Sequence, residues 1–190
     1  MLNAINTLFN HPAARKLFLV LRVPLILLLV GLVAYFARVE LLCTGFIVSM
    51  FGQLIQLWSF ASLVKNEQLT ARGPYVMVRN PMYLGRYFLI LGFIVITGSI
   101  VAMVLYTLFY WFYMYNRVRR EEVKLAEGLG EPYRNYCATV NRFMPNLLKL
   151  GAPAVRFFNF GVLCNNNGHW NLLATLIAWG VLYAWLRFLR

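Results

Sequence analysis

Residues 87–116 read YFLILGFIVITGSIVAMVLYTLFYWFYMYN, thirty consecutive positions without a charged side chain. One helix needs about 20 apolar residues to cross the hydrocarbon core of a bilayer, so this run exceeds a single crossing. Thr97, Gly98 and Ser99 interrupt it near the middle with residue types that favour a turn. The stretch therefore predicts a short helical hairpin over about residues 82–117, with both ends on one side of the membrane.

The rest of the chain is hydrophobic enough for an integral membrane protein. Of its 190 residues 61% are apolar, whereas soluble domains hold about half. Apolar runs at about 17–36 and 41–64 predict two spans before the hairpin, and 170–186 predicts one after it. In the second run Gln53, Gln56 and Trp58 are expected on a face that meets other helices and not lipid. Residues 150–164 are interrupted by Gly151, Pro153 and Arg156, which suits an interfacial or re-entrant segment, although a crossing stays open.

These runs together predict an all-α, polytopic membrane protein of about five transmembrane helices. We expect three parts: two N-terminal transmembrane helices in 1–64, a core in 65–147 that contains a loop and the hairpin, and an interfacial segment with a C-terminal transmembrane helix in 148–190.

Charge indicates the orientation of these helices. The chain has 18 Lys and Arg against six acids, for a net charge of +12. The basic residues concentrate in 65–86 and 117–150, so the positive-inside rule makes both segments and the N-terminus cytoplasmic. Residues 121–141, interrupted by Gly128, Gly130 and Pro132, predict one or two amphipathic helices that form a cytoplasmic cap. A basic cap at this surface also favours contact with anionic lipids.

Composition argues against two other classes of partner. The basic residues flank apolar runs instead of forming a stripe with exposed aromatics, so nucleic-acid binding is not expected. His11 and His169 lie at opposite ends of the chain, and the three cysteines are widely spaced, so we expect no metal site.

The first motif with chemical potential is the helix start at Asn80-Pro81. Asn is a favoured N-cap and Pro a favoured first helical residue. Arg79 stands beside a helix N-terminus, which can bind an anion such as a carboxylate or phosphate. Tyr83 lies one turn further on, and Gly85 leaves room for a close approach.

The second motif is the acidic pair Glu121-Glu122. Arg117 and Glu121 are spaced i,i+4 and Arg119 and Glu122 i,i+3, so each pair can form on a helix. Most such pairs are only solvated surface charges. Here, however, two of only six acids stand side by side where an apolar helix leaves the membrane. Together they can form a binding site for an ammonium or sulfonium group.

The order of these motifs resembles the isoprenylcysteine carboxyl methyltransferase and phospholipid methyltransferase family over about residues 65–145. The residues that carry the resemblance are Gly73-Pro74-Tyr75, Arg79-Asn80-Pro81-Met82-Tyr83-Leu84-Gly85, Arg117 with Glu121-Glu122, Leu129-Gly130-Glu131-Pro132-Tyr133, Tyr136, and Arg142-Phe143-x-Pro145.

The resemblance implies a membrane-embedded enzyme that uses S-adenosylmethionine, has no Rossmann domain and has its catalytic core in 65–147. It implies that Arg79, Asn80, Tyr83 and Gly85 line the methionine end of the cofactor and that Glu121 and Glu122 face its ammonium. It further implies that the adenosine side is closed by Tyr133, Tyr136, Arg142 and Phe143.

The acceptor implied by the resemblance is lipophilic and membrane-resident: the carboxylate of a prenylcysteine-like substrate, or an amine or headgroup of a lipid. Arg117 and Glu121 are the expected catalytic residues. A carboxylate is ionised at pH 7 and needs only an Arg to hold it, whereas an amine must first lose a proton to Glu121 or Glu122.

Asn80 departs from the family pattern, because members that act on prenylated cysteine typically have His at this place. Asn at this place resembles the pattern of bacterial relatives. For such a protein we expect a location in the inner or plasma membrane and an active site that faces the cytoplasm. Asn keeps hydrogen-bonding capacity but cannot carry charge, so the departure leaves the acceptor open.

Two other functions fit parts of the sequence. A membrane sterol or steroid reductase that uses NADPH also carries an Asn before Tyr-x-Gly, but it typically has an acid directly after the Gly, where this chain has Arg86. A non-catalytic membrane scaffold would need the charged segments only as topology signals.

Overall fold

The structure is a computed structural model that describes residues 12–64 and 69–189, with the backbone alone for 12–22 and for Leu25. Residues 1–11 of the predicted N-terminal part and 65–68 of the predicted cytoplasmic loop lie outside the described residues. Within these ranges the chain forms α-helices and short helical turns and no strand, which confirms the all-α class. The helices are α1 (Pro12–Phe36), α2 (Leu42–Ser62), α3 (Pro81–Val95), α4 (Ile100–Leu129), α5 (Glu131–Thr139), α6 (Phe160–Asn165) and α7 (Gly168–Ala184).

Two segments in the described ranges are long and apolar enough to cross a membrane, Val39–Ser62 and Gly168–Leu189. Ile26–Phe36 and Pro81–Val95 are apolar but shorter, so the count of five crossings stays a prediction. Large apolar side chains on these helices are exposed, among them Leu28, Leu54 and Ile177. A bilayer would cover such side chains, whereas exposing them to water costs free energy.

The hairpin turns where the sequence predicts it, between the end of α3 at Val95 and the start of α4 at Ile100. Gly98 has a positive φ of 67°, and the Ser99 hydroxyl caps α4 by accepting from the backbone N–H of Ala102 at 3.2 Å. The second arm is longer than expected, because α4 continues unbroken through Gly128. The predicted break at Gly128 was wrong, since one glycine costs a helix only about 1 kcal/mol. The break comes at Gly130, where φ is +62°.

Close backbone packing joins α2 to α3. A Cβ on Gly85 of α3 would lie 2.7 Å from the carbonyl oxygen of Gly52 and 2.7 Å from Cγ of Gln56, both on α2. The Ser49 hydroxyl donates to the carbonyl of Leu89 across the same contact at 2.6 Å. Small residues thus let the two backbones touch, as in packed membrane helices, and they hold α3 against α2.

Polar side chains join α2 to α7. Gln53 is 1% exposed; its amide donates to Asn171 at 3.0 Å and its oxygen accepts from the Thr175 hydroxyl at 3.0 Å. The prediction that Gln53 faces another helix is confirmed. At the end of α2 the Asn166 amide donates to the carbonyls of Phe60 and Leu63, each at 2.8 Å, and so satisfies groups that the helix leaves free.

Residues 147–165 contain no helix of membrane-spanning length. They form helical turns at Leu147–Gly151 and Pro153–Arg156 and then the six-residue α6. This segment lies against the end of α2, where the Trp58 indole donates to the carbonyl of Phe157 at 3.1 Å. The C-terminal part therefore packs directly on the N-terminal part; the three-part division itself stays a prediction.

Candidate active site

Two distant segments pair beside the start of α3 and bring the two sequence motifs together. The backbone N–H of Arg79 donates to the carbonyl of Asn141 at 2.9 Å, and that of Asn146 donates to the carbonyl of Met77 at 2.9 Å. Between these bonds the Asn80 amide donates to the carbonyl of Arg142 at 3.2 Å. Asn80 makes no capping bond to α3, so the expected side-chain cap was wrong. Its amide instead fixes the 141–146 segment.

Glu122 is held by two arginines. It is 8% exposed, and its Oε1 lies 3.0 Å from Nη1 of Arg79. Its Oε2 lies 2.6 Å from Nη2 of Arg142 and accepts a second bond from Nε of the same residue at 2.9 Å. The carboxylate raises the pKa of Arg142, chiefly through the hydrogen bond, so that side chain stays charged. Glu122 therefore joins three segments: residues before α3, α4, and residues after α5.

The partners of Glu122 differ from the sequence prediction. The i,i+3 spacing predicts a pair with Arg119, but the described ion pairs of Glu122 are with Arg79 and Arg142. Arg119 is exposed on α4. A buried carboxylate gains more from buried cations than from an exposed neighbour, because water screens the latter.

Glu121 has a more open environment. Its two carboxylate oxygens accept from the Tyr83 hydroxyl at 2.8 and 2.7 Å, and Nε of Arg117 donates both to Glu121 at 3.1 Å and to the Tyr83 oxygen at 3.1 Å. The predicted i,i+4 pair of Arg117 and Glu121 is confirmed. These two side chains are 42% and 44% exposed. The Tyr110 hydroxyl supports the cluster by donating to the carbonyl of Tyr83 at 2.6 Å.

The predicted aromatic residues lie beside the Glu122 cluster. Tyr133 and Tyr136 of α5 are 5% and 8% exposed, and burial raises the pKa of both phenols. The Tyr136 hydroxyl donates to the carbonyl of Tyr75 at 2.7 Å. The Phe143 ring contacts the Trp111 ring edge-on, with centroids 5.0 Å apart. Trp111 and Tyr75 were not among the predicted site residues; Tyr75 could have been suspected from the Gly73-Pro74-Tyr75 motif.

Gly85 has a different environment from the one expected. Its open face meets Gly52 and Gln56 of α2, so the close approach there is made by a neighbouring helix and not by a ligand. A glycine in a membrane helix can make room for a neighbouring helix or for a ligand, and the sequence alone does not distinguish the two. The remaining predicted site residues gather around Glu121 and Glu122.

Buried polar atoms without hydrogen bonds concentrate at this place. In the part of the chain that the structure describes there are five such side-chain atoms, and three belong to Tyr75, Arg79 and Glu122. For Glu122 the atom is Oε1, which contacts Arg79 as an ion pair without hydrogen-bond geometry. The other two belong to His169 and Trp179. Because native proteins pair nearly all buried polar atoms, a polar ligand, an ion or water at this place would supply the missing partners.

The charges of the two clusters define what the site can bind. Arg117 and Glu121 balance each other, whereas Arg79 and Arg142 exceed Glu122 by one positive charge. The site thus offers carboxylate to a cation and guanidinium to an anion, as a zwitterionic amino-acid group requires. The described residues contain no group of three His, Cys, Asp or Glu that could hold a metal ion.

The fold and site define a class of helical protein with apolar, membrane-type helices and a charged site at the ends of two of them. The model of the phospholipid methyltransferase family matches residues 27–131, just over half of the chain. The chain therefore belongs to the phospholipid methyltransferase family.

The chain is also similar to proteins that are named protein-S-isoprenylcysteine O-methyltransferases. The protein of Schizosaccharomyces pombe is 31% identical over 81 residues, which cover 43% of this chain and 34% of the relative. The proteins of Xenopus laevis and Homo sapiens are 28% and 27% identical, over 53% and 54% of this chain and 39% and 40% of theirs. The chain thus spans about a third to two-fifths of the length of these relatives. No solved structure matches it significantly.

Proposed function

We propose that this protein is a membrane methyltransferase that uses S-adenosylmethionine and methylates the carboxylate of a lipophilic, prenylcysteine-like acceptor. Family membership and the names of the relatives support the reaction class. The observation that carries the proposal is the cluster of Tyr83, Arg117 and Glu121, which is half-exposed and lies where α3 and α4 come together. We place this site on the cytoplasmic side, as the distribution of basic residues predicts.

The polar residues fit the amino-acid end of S-adenosylmethionine. Glu121 has the exposure and the charge to accept hydrogen bonds from its ammonium. Arg79 has a buried Nε without a hydrogen bond, and this N–H can donate to the carboxylate of S-adenosylmethionine. Tyr133, Tyr136, Arg142 and Phe143 are the residues we propose for the adenosine side. Glu122 already has both oxygens on arginines, so we propose that it positions Arg79 and Arg142 and does not touch the ligand.

The chemistry asks little of the protein beyond alignment. Bound S-adenosylmethionine supplies an electrophilic methyl group on a sulfonium. An acceptor carboxylate is already ionised at pH 7, so the role left to the protein is to hold it, and Arg117 is the residue we propose for this. The rate gain then comes from fixed geometry and exclusion of water. The acceptor enters from the lipid, because the site lies at the end of lipid-facing helices.

Anionic lipids are the second proposed partner. Arg119, Arg120 and Lys124 are exposed on α4 beside the site. Each basic residue near an anionic membrane surface contributes about 1 kcal/mol of attraction. We expect binding of the purified protein to anionic lipid to weaken when these three residues are replaced by Gln.

The proposal is tested by titrating the purified protein in detergent with S-adenosylmethionine and, separately, with NADPH. Saturable binding of the former alone supports a methyltransferase. Binding of NADPH alone would support the reductase, and binding of neither would support a scaffold.

The acceptor is tested by incubation with a lipid extract and methyl-labelled S-adenosylmethionine, followed by mass spectrometry. Mild base hydrolyses a methyl ester and releases labelled methanol, whereas a methylated amine keeps its label. Label that resists base would overturn the carboxylate acceptor and indicate an amine, with Glu121 as the group that takes its proton.

A further inference from the structure

Tyr75 is held rigidly beside the site. It lies in the helical turn Gly73–Val76, which begins at Gly73 with a positive φ of 58° and is packed against Ser62 of α2. The turn is closed by the carbonyl of Pro74, which accepts from the backbone N–H groups of Met77 and Val78, each at 3.1 Å. The carbonyl of Tyr75 itself accepts from the Tyr136 hydroxyl at 2.7 Å.

The side chain of Tyr75 is buried, with 7% of the residue exposed, yet its hydroxyl has no hydrogen bond in the described part of the chain. Burial alone would favour Phe, because a hydroxyl without a partner loses its bonds to water and gains none in return. The hydroxyl therefore needs a partner that the described residues do not provide.

The surroundings of this hydroxyl indicate where such a partner binds. Burial is the main cause that raises the pKa of Tyr75, and the phenols of Tyr136 and Tyr83 are close enough to raise it further. The hydroxyl therefore lies near both the Tyr136 side and the Tyr83 side of the site. It stays protonated at neutral pH and can donate one hydrogen bond to an acceptor.

We propose that Tyr75 is a further ligand-contacting residue of this site, and that its hydroxyl donates a hydrogen bond to a carboxylate or ribose oxygen of the bound methyl donor. The inference rests on the proposed function. It adds a residue to the predicted site residues, and it explains why a buried position carries Tyr where Phe would fill the same space.

The test combines two measurements on Tyr75→Phe in purified full-length protein: thermal unfolding without ligand, and calorimetric titration with S-adenosylhomocysteine. We expect the melting temperature without ligand to stay the same or rise, because an unpaired buried hydroxyl is removed. We expect the affinity for S-adenosylhomocysteine to fall about 3- to 10-fold, the range for one lost hydrogen bond.

Tyr106→Phe is the matched control. Its hydroxyl donates to the carbonyl of Tyr87 at 3.1 Å within the hairpin. Its loss should lower the melting temperature without ligand and leave the affinity unchanged, the reverse of the pattern for Tyr75→Phe.

The outcomes separate this inference from the proposed function. If the unchanged protein binds the ligand and Tyr75→Phe binds it equally well, the role of Tyr75 is overturned while the proposed function stands. A lower melting temperature or failure to fold for Tyr75→Phe also overturns it, because the hydroxyl would then stabilise the ligand-free protein. If the unchanged protein binds neither S-adenosylmethionine nor S-adenosylhomocysteine, both proposals fail.

Discussion

Glu121 and Glu122 are neighbours in sequence but lie in two different environments. Successive residues on a helix point about 100° apart, so one carboxylate faces the packed segments and the other faces the open side. The Glu122 side chain is 10% exposed and contacts two arginines from distant segments. The Glu121 side chain is 44% exposed and contacts Tyr83 and an arginine on its own helix. The difference suggests a division of roles, in which Glu122 holds the site together and Glu121 remains available to a ligand.

The largest expected effect is the loss of stability in Glu122→Gln. The substitution leaves two largely buried arginines without their counter-charge, which costs about 3 kcal/mol. For a protein of this size we expect the melting temperature to fall by roughly 6–12 °C. Tryptophan fluorescence during heating in detergent measures it, with Glu121→Gln as the matched control. Equal melting temperatures for the two variants would show that Glu122 does not stabilise the protein more than Glu121 does.

The next effect concerns ligand affinity in Glu121→Gln. Stability should change by less than about 1 kcal/mol, because the pair with Arg117 is half-exposed. Affinity for S-adenosylmethionine should fall about 10-fold or more, since a charge-assisted hydrogen bond to its ammonium is lost. Calorimetric titration measures the change. Unchanged affinity would mean that Glu121 is only a surface partner of Arg117.

A smaller loss of affinity is expected for Tyr83→Phe. The hydroxyl fixes the orientation of the Glu121 carboxylate, so its removal should weaken binding of S-adenosylmethionine about 3- to 5-fold. Since Tyr83 acts through Glu121, the double variant with Glu121→Gln should bind no more weakly than Glu121→Gln alone. Additive losses in that titration would show that Tyr83 contacts the ligand independently.

The smallest effect tests the continuity of the helix that carries both acids. A Cβ on Gly128 would meet no atom within 4 Å, so Gly128→Ala should stabilise the protein by about 0.5–1 kcal/mol. Gly130→Ala should destabilise it by about 1 kcal/mol or more, because φ is positive there. Thermal unfolding compares the two. Destabilisation by Gly128→Ala would place the end of α4 earlier than Leu129.

Local patterns predicted the elements and contacts that depend on nearby residues. The turn at residues 97–99 follows from small and polar residues within an apolar run, and the Arg117–Glu121 pair follows from i,i+4 spacing. Gln53 was predicted to face another helix because a polar side chain in an apolar helix avoids lipid. Each of these depends on a rule that acts within one or two helical turns.

The partners of Glu122 could not be predicted in the same way. Arg79 and Arg142 reach it only because residues 77–80 pair with residues 141–146, which brings together segments far apart in sequence. The same pairing takes the Asn80 amide away from the helix it precedes. For Gly85, the sequence gives no sign whether its open face meets a helix or a ligand, since both need the same absence of a side chain.

The double contact of Glu122 also bears on the order in which the chain is made. Glu122 leaves the ribosome twenty residues before Arg142, which is about one to four seconds at ordinary rates of synthesis. During that interval Arg79 has been synthesised and Arg142 has not, so Glu122 can pair with only one of its two arginines. The two contacts of Glu122 are therefore completed late, after α3 and α4 have been synthesised, when Arg142 follows them.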